Sequence, residues 1–200
     1  EAGFLRSDDA CRPADAYGVS KCEAEAGLLQ LAVDSPMEVV ILRLPLVHGP
    51  GVGANFLRLL RLVETGIPLP FARARNARSL IGLRNLVDVT ALCARHPAAA
   101  GMVFLPSDGK PVSTADLVRS LAQAFGRNAW MLPVPVTLIR LMAVLLGKKA
   151  QADRLFGSLA VDSTPLFERL GWRPPFDFQQ EIDHVVAWYL NEKRRHETHS

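Results

Sequence analysis

The sequence predicts an α/β fold, in which part of a doubly wound parallel sheet is joined to a small mixed α/β lobe. A helical pattern over residues 14–31 is followed closely by residues 38–44, a β-branched run of the kind that parallel sheets bury. This order predicts a βαβ unit whose first strand lies upstream. Short helical patterns dominate from residue 133 onward, which predicts that the second half mainly forms the lobe.

Each element has its own start and stop signals. Asp15 suits the positive end of the first helix dipole, and Pro36 closes that helix. Asn55 is expected to cap the helix that follows the glycine-rich loop at 48–54. After residue 44, the predicted elements are helices over 56–64, 85–95, 113–125, 136–146, 164–170 and 178–195, with a strand over 102–105 and a frayed tail over 196–200.

Composition excludes several function classes. The chain has 200 residues, of which 49% are hydrophobic and 22% charged, and its net charge of +3 comes from interleaved residues, so no nucleic-acid partner is expected. The apolar run 136–146 is far shorter than a membrane span. It is predicted to be a core helix, with a role at the membrane surface as the less favoured alternative, so membrane association is not expected.

The three cysteines predict neither a disulfide framework nor a metal site. Their number is odd, and no pair has the spacing of zinc ligands. A reducing cytoplasm fits this usage best.

Tyr17 and Lys21 carry the clearest chemical signal. Side chains four residues apart on a helix project from the same face, about one turn apart. A free phenol has a pKa near ~10, and a nearby ammonium favours the phenolate. The pair therefore suits proton transfer to a carbonyl or from a hydroxyl. Spacing alone is weak evidence, because the same pair occurs by chance in many helices.

The surrounding residues resemble the extended short-chain dehydrogenase family, in its NAD-dependent epimerase/dehydratase branch similar to UDP-glucose 4-epimerase. The resemblance runs over 15–25 (DAYGVSKCEAE), 41–51 (ILRLPLVHGPG), 76–81 (NARSLI), 85–88 (NLVD) and 171–175 (GWRPP). It implies that the chain is the C-terminal part of a Rossmann-like doubly wound parallel sheet with a small mixed α/β substrate-binding lobe. Residues 1–54 would belong to the Rossmann-like domain and 55–200 mainly to the lobe, with a short return to the sheet near 79–105.

The resemblance also implies roles for particular residues. Tyr17 would be the catalytic acid/base, and Lys21 would bind the nicotinamide ribose and lower the pKa of Tyr17. Both would touch the cofactor, as would the backbone at Pro45 and Val47. Asn55 and Arg78 would bind the diphosphate of the substrate, for which a guanidinium fork is well suited.

Several features depart from the family pattern. The family's glycine-rich first turn, ribose-binding acid and catalytic Ser/Thr should precede Tyr17 by tens of residues, so the chain alone is not expected to hold the cofactor. Leu46, His48 and Gly82 stand where Asn, Tyr and a bulkier residue are usual. His48 is either a loop histidine near the sugar or an incidental polar residue.

The glycine-rich loop and the basic residues near it each allow two interpretations. Residues 49–54 (GPGVGA) fit a dinucleotide fingerprint, but 69–78 lack the acidic residue expected about 20 positions later, so a substrate-side loop is favoured. The basic residues near this loop suit a diphosphate and equally suit a solvated surface; they are Arg73, Arg75, Arg78 and Arg84.

The resulting expectation is an NAD- or NADP-dependent sugar-nucleotide 4-epimerase that acts on a UDP-hexose or UDP-N-acetylhexosamine through a 4-keto intermediate. The chain is expected to be an incomplete form of this enzyme that is itself inactive. The alternatives are a UDP-4-keto-6-deoxyhexose reductase or dehydrogenase of the same family, or a non-catalytic UDP-sugar-binding module. The resemblance further implies a cytoplasmic homodimer formed through the helix that bears Tyr17.

Overall fold

The structure, a computed structural model, describes residues 4–13 and 15–198. Within these ranges the chain forms eight α-helices, four short strands and one 3-10 turn at Pro97–Ala99. In chain order the elements are α1 (Ala16–Asp34), β1 (Ile41–Leu42), β2 (Leu46–His48), α2 (Ala54–Glu64), β3 (Leu80–Gly82), α3 (Leu83–Cys93), β4 (Val103–Phe104), α4 (Thr114–Ala124), α5 (Val136–Leu145), α6 (Lys149–Phe156), α7 (Thr164–Leu170) and α8 (Phe178–Thr198).

The strands form two parallel pairs. β1 lies beside β4, with Ile41 opposite Val103, and β2 lies beside β3, with Val47 opposite Ile81. Parallel pairing with intervening helices confirms the predicted α/β class. The predicted strand over 38–44 is too long, because only Ile41 and Leu42 complete the ladder against β4.

Three elements escaped prediction. β2 and β3 are short and contain polar or flexible residues, His48 and Gly82, which mask the β-branched pattern. α6 has only eight residues, half of them polar, and it follows Gly147, so it shows little amphipathic pattern in the sequence. All three lie between elements whose presence the sequence did predict.

The larger core belongs to the lobe. Helices α2, α4 and α8 pack together around fully buried Leu60, Leu121, Ile182 and Val185. α4 begins at the predicted cap, where the Ser113 hydroxyl accepts from the Asp116 amide at 3.0 Å in a capping box. The amphipathic pattern of this helix therefore led to the correct position.

A second core lies under the two strand pairs. Ile81, Val89, Phe104 and Leu166 are buried together there, beside Trp172.

The predicted end of α7 is confirmed, because Gly171 adopts φ 64°, a left-handed conformation that glycine accepts without a Cβ penalty.

The ends of the chain differ slightly from prediction. α1 begins at Ala16 with Asp15 as its N-cap, whose Oδ1 accepts from the Gly18 amide at 2.8 Å. The predicted start at Ala14 lies outside the described residues. α8 continues to Thr198, so the predicted fraying from residue 196 is wrong up to that point, and 199–200 lie outside the described residues.

The prediction that 136–146 forms a core helix needs correction. Only Val136, Ile139 and Ala143 of α5 pack against the lobe core, and each is partly buried. None of the residues of α5 reaches full burial. Among the described residues, no helix is long and apolar enough to cross a membrane.

Candidate functional site

Tyr17 and Lys21 lie together on the first turns of α1. The Lys21 ammonium nitrogen is 5.4 Å from the centroid of the Tyr17 ring. The Tyr17 side chain is 72% exposed. Neither the phenol oxygen nor the ammonium forms a hydrogen bond within the described residues, so both remain available to a ligand.

Arg43 fixes the position of α1 relative to the strands. Its guanidinium donates to both carboxylate oxygens of Glu25, at 3.1 Å from Nε and 2.6 Å from Nη2. Nη1 also donates to the carbonyl oxygens of Ser7 and Asp9. Hydrogen bonding to Glu25 raises the pKa of Arg43 above its usual value. Arg43, directly after β1, thus joins α1 to the segment before it.

The prediction of no disulfide is wrong for one pair. Cys11 and Cys22 are bonded, with their Cα atoms 6.2 Å apart. The chain turns back at the start of α1, which brings residues 11 positions apart into contact. The odd count arose because the third cysteine, Cys93, is buried in the second core, where burial raises the pKa of its thiol.

An open cleft of about 400 Å³ lies beside this junction. Pro45 lines it from the start of β2, and Leu159 and Val161 line it from the segment before α7. The remaining lining residues come from 5–12, 43–44 and Leu105. Because Cys11 lines the cleft and is bonded to Cys22, the cleft adjoins α1.

Arg78 lies on the opposite side of Leu159 from residues 5–12. Its backbone forms bridges to Leu159 and Val112. Its guanidinium donates to the carbonyl oxygen of Arg154 near the end of α6. Burial lowers the pKa of Arg78 from its usual value. Leu159 therefore contacts the backbone of Arg78 and also lines the cleft with Pro45. The Arg78 guanidinium itself is directed toward α6.

Asn55 does not have the predicted capping role. Gly53 is the N-cap of α2, and Asn55 is an exposed residue within the first turn, 3.5 Å from the Arg58 guanidinium. Asn55 does not line the cleft beside Pro45.

The basic residues near 73–84 do not form one group. Arg73 and Arg75 are exposed. Arg84 instead donates to the buried Glu181 carboxylate at 2.7 Å and lies 3.8 Å from the centroid of the Phe176 ring. Arg84 is thereby engaged in holding α8 against β3.

A buried polar cluster at the end of β2 was not predicted. His48 is fully buried, and its Nε2 is 3.2 Å from Asp108 Oδ2. Asp108 also accepts from the Gly82 amide at 2.8 Å and from Asn85 Nδ2 at 2.8 Å. His48 thus belongs to a network that joins the ends of β2 and β3. The sequence showed only the unusual His48 and Gly82, with nothing to connect either to Asp108.

The glycine at position 82 is explained by Glu181. A Cβ placed on Gly82 would lie 2.2 Å from Glu181 Cγ, far inside van der Waals contact. Glu181 is fully buried at this point. Glycine at position 82 therefore leaves room for a buried carboxylate that arrives from α8.

The loop at 49–54 packs closely against the start of α3. It connects β2 to α2, and α2 leads to β3, which is parallel to β2. A Cβ on Gly49 would lie 2.5 Å from Leu83 Cβ, so this glycine permits close approach of α3. Among the described residues, no cluster of three or more His, Cys, Asp or Glu is arranged to hold a metal ion.

The chain is similar in sequence and in fold to known proteins. No family model matches the chain. A UDP-glucose 4-epimerase of Vibrio cholerae is 48% identical over 192 residues, which cover 96% of this chain and 58% of that protein. The chain belongs to the NAD-dependent epimerase/dehydratase family. The resemblance of the chain to this family is thereby confirmed.

Solved structures of the family share the fold. A Thermotoga maritima UDP-glucose 4-epimerase solved with UDP-glucose matches 96% of this chain and 59% of its own, with a TM-score of 0.71 and 17% identity. A Bacillus anthracis dTDP-glucose 4,6-dehydratase in complex with NAD matches 97% and 58%, with a TM-score of 0.71 and 14% identity. The chain thus spans less than two thirds of these relatives and has the fold of their C-terminal part.

Proposed function

We propose that this chain is the C-terminal part of an NAD(P)-dependent 4-epimerase that acts on a UDP-hexose or a UDP-N-acetylhexosamine. The observation that carries the proposal is the Tyr17–Lys21 pair, in which the ammonium lies over the phenol ring and neither polar group has a hydrogen-bond partner among the described residues. The 48% identity to a protein named UDP-glucose 4-epimerase supports the reaction class.

In the proposed mechanism, Tyr17 exchanges a proton with the sugar C4 hydroxyl. Tyr17, as the phenolate, accepts the hydroxyl proton while the C4 hydrogen leaves with its electron pair, giving a 4-keto sugar. NAD, when bound, supplies the acceptor for that hydride. The Lys21 ammonium lies 5.4 Å from the centroid of the Tyr17 ring, and it would hold a ribose hydroxyl of the bound cofactor. Return of the hydride to the opposite face, with the proton from Tyr17, inverts C4.

Residues around the cleft would bind the rest of the ligands. The backbone at Pro45 and Val47 would approach the nicotinamide, and the cleft lined by Pro45 supports that placement. Arg78 and Asn55 would hold the diphosphate. For this, the Arg78 fork has to exchange the Arg154 carbonyl for two phosphate oxygens, a charge-assisted and stronger pairing.

The proposal extends to domains and partners. We place the boundary between the Rossmann-like part and the lobe at 54/55, with a return to the sheet near 79–105, where β3 and β4 pair with β2 and β1. A homodimer through α1 is supported by the exposure of Leu28, Leu31 and Val33 on that helix. A nucleotide-sugar substrate fits a cytoplasmic location.

Two alternatives rest on specific observations. A reductase or dehydrogenase would use the same Tyr17–Lys21 pair and differ only in whether the 4-keto sugar enters or leaves. A non-catalytic UDP-sugar-binding module would use the Arg78 guanidinium and the cleft beside Pro45 to hold UDP without any turnover.

The test compares the two tyrosines of the chain in the full-length gene product. Tyr17→Phe should lower kcat for UDP-hexose epimerisation by about 10²–10⁴-fold, the usual contribution of a general acid/base. UDP binding measured by calorimetry should be unchanged. Tyr189→Phe is the matched control, because its hydroxyl donates to Glu64 within the lobe at 2.6 Å.

The outcomes separate the candidates. Retained epimerisation by Tyr17→Phe would contradict the proposed role. Turnover only of a 4-keto sugar would select the reductase. UDP binding without NAD binding or turnover by the full-length product would select the binding module.

A further inference from the structure

Helix α5 carries two apolar stripes on opposite faces. Val136, Ile139 and Ala143 form the stripe that packs on the lobe core. The opposite stripe has the i, i+3, i+4, i+7 spacing of a helix face made for burial, yet it is exposed: Leu138 49%, Leu141 57%, Met142 49% and Leu145 72%. A short helix with this second stripe presents a hydrophobic surface that the described residues do not cover.

Further apolar side chains are exposed at both ends of this helix. Leu146 follows α5 and is 65% exposed. Trp130 and Leu132 precede it and are also exposed. Tryptophan is the residue that most favours the boundary between water and hydrocarbon. These residues together with the outward stripe are called here the α5 surface.

The charge around the α5 surface is positive. Residues 128–161 contain four basic residues and one acidic residue, which gives a local charge of +3. The acid, Asp153, is already paired with Lys149 at 3.0 Å. The Lys148 ammonium has no partner within the described residues. A complementary surface must therefore offer hydrocarbon and negative charge together.

A second copy of the chain meets this requirement poorly. In a two-fold pairing of α5 helices, the stripe of one copy would cover that of the other, but the basic end at Lys148 would meet 133–140, which contain Arg140 and no acid. An anionic lipid bilayer supplies both components. α5 has 10 residues, about 15 Å in length, so it would lie in the membrane interface rather than cross it.

We propose that the α5 surface binds the surface of an anionic lipid bilayer, with Leu138, Leu141, Met142 and Leu145 inserted among the acyl chains near the headgroups. The Lys148 ammonium meets the lipid phosphates. This interaction goes beyond the proposed reaction and does not depend on it. It places the enzyme beside the membrane without a membrane-spanning segment.

Vesicle co-sedimentation of the full-length gene product tests this. Vesicles of phosphatidylglycerol and phosphatidylcholine should pellet the protein at low salt, and vesicles of phosphatidylcholine alone should pellet much less. Leu145→Glu should reduce the partition coefficient by about tenfold or more, because it places a charge in the apolar layer. Val87→Glu is the matched control on α3, where the native valine is 62% exposed.

A second pair of variants tests the electrostatic part. Lys148→Gln should weaken binding to anionic vesicles by about fivefold, the equivalent of ~1 kcal/mol per lysine near the membrane surface. Lys110→Gln removes an exposed lysine outside α5 and should leave binding unchanged.

Two results would overturn the proposal. The first is wild-type protein that stays in the supernatant with anionic vesicles at low salt. The second is an equal loss of binding in Leu145→Glu and Val87→Glu. If the first result is joined by an oligomer in sedimentation velocity that Leu145→Glu dissociates, a second copy covers the α5 surface instead.

Discussion

Helix α1 and the three-helix core of the lobe are held in very different ways. α1 has 19 residues and buries none of them within the described part of the chain, although it carries Leu28, Leu31 and Val33. In the lobe, α2, α4 and α8 surround side chains with no exposure at all, among them Leu60 and Leu121. Hydrophobic burial is the dominant stabilising term in folding. The lobe core therefore contributes much more to the free energy of unfolding than α1 does.

The proposed catalytic pair and the larger hydrophobic core of this chain therefore lie in different regions. The Tyr17–Lys21 pair is on the helix that the chain holds by polar and covalent contacts, chiefly Arg43–Glu25 and Cys11–Cys22. Changes in the lobe should alter the free energy of unfolding, and changes in α1 should alter local order around Tyr17. Matched substitutions in the two regions test this separation.

The largest expected effect is on the lobe core. Leu121→Ala should lower the free energy of unfolding by about 2–5 kcal/mol, because Leu121 is fully buried and its truncation leaves a cavity. Leu28→Ala makes the same change on α1, where the leucine is 44% exposed, and should cost no more than about 0.5 kcal/mol. Urea unfolding measures both. Equal losses would show that α1 is buried as firmly as the lobe.

A pair of glycine substitutions should change stability in opposite directions. Gly82→Ala places a methyl group 2.2 Å from Glu181 Cγ, and Arg84 holds that carboxylate in place, so a loss of about 1–3 kcal/mol is expected. Gly27→Ala in α1 meets nothing within 4 Å and should stabilise the helix by about 0.5–1 kcal/mol. Thermal unfolding measures both, and destabilisation by Gly27→Ala would mean that α1 has a close neighbour.

The sequence predicted best where local pattern and tertiary packing agree. The start of α4 follows from its cap at Ser113, and the end of α7 follows from Gly171. The α/β class followed from a helix and an adjacent β-branched run. The pairing of Tyr17 with Lys21 was predicted because helical geometry fixes it within one element.

Prediction failed where partners are far apart in the chain. His48 and Asp108 are 60 residues apart, and Gly82 and Glu181 meet only because α8 packs over β3. No local pattern encodes such contacts. The disulfide was missed because Cys93 made the count odd, and the exposure of α5 was missed because an apolar run does not reveal which of its faces is covered.

The attachment of α1 can be tested at Arg43. Arg43→Lys keeps the charge but loses the two-pronged contact with Glu25, so opening of α1 should become easier by about 1–2 kcal/mol. Hydrogen exchange of α1 amides should accelerate by about tenfold or more, while α4 stays protected. Arg119→Lys alters an exposed pair with Asp116 and is the control. Unchanged exchange in α1 would show that other contacts hold this helix.

The smallest effect concerns a surface ion pair of the lobe. The Glu64 carboxylate accepts from Lys193 and from the Tyr189 hydroxyl, at 2.7 and 2.6 Å, and these bonds hold the pKa of Glu64 below its usual 4.5. A carboxyl whose folded pKa is lowered contributes stability that is complete above its unfolded pKa and is lost as the pH falls through the folded value.

Stability should therefore decline below about pH 4.5, where the unfolded chain takes up this proton first. Glu64→Gln should flatten the dependence of the free energy of unfolding on pH in that range. Tyr189→Phe removes one of the two hydrogen bonds and should flatten it less. Urea titrations from pH 3 to 7, spanning the usual carboxyl range, measure the slopes. Equal slopes in wild type and Glu64→Gln would place the acid sensitivity at other carboxylates, such as Asp116 and Asp162, whose pKa values are also lowered by their hydrogen bonds.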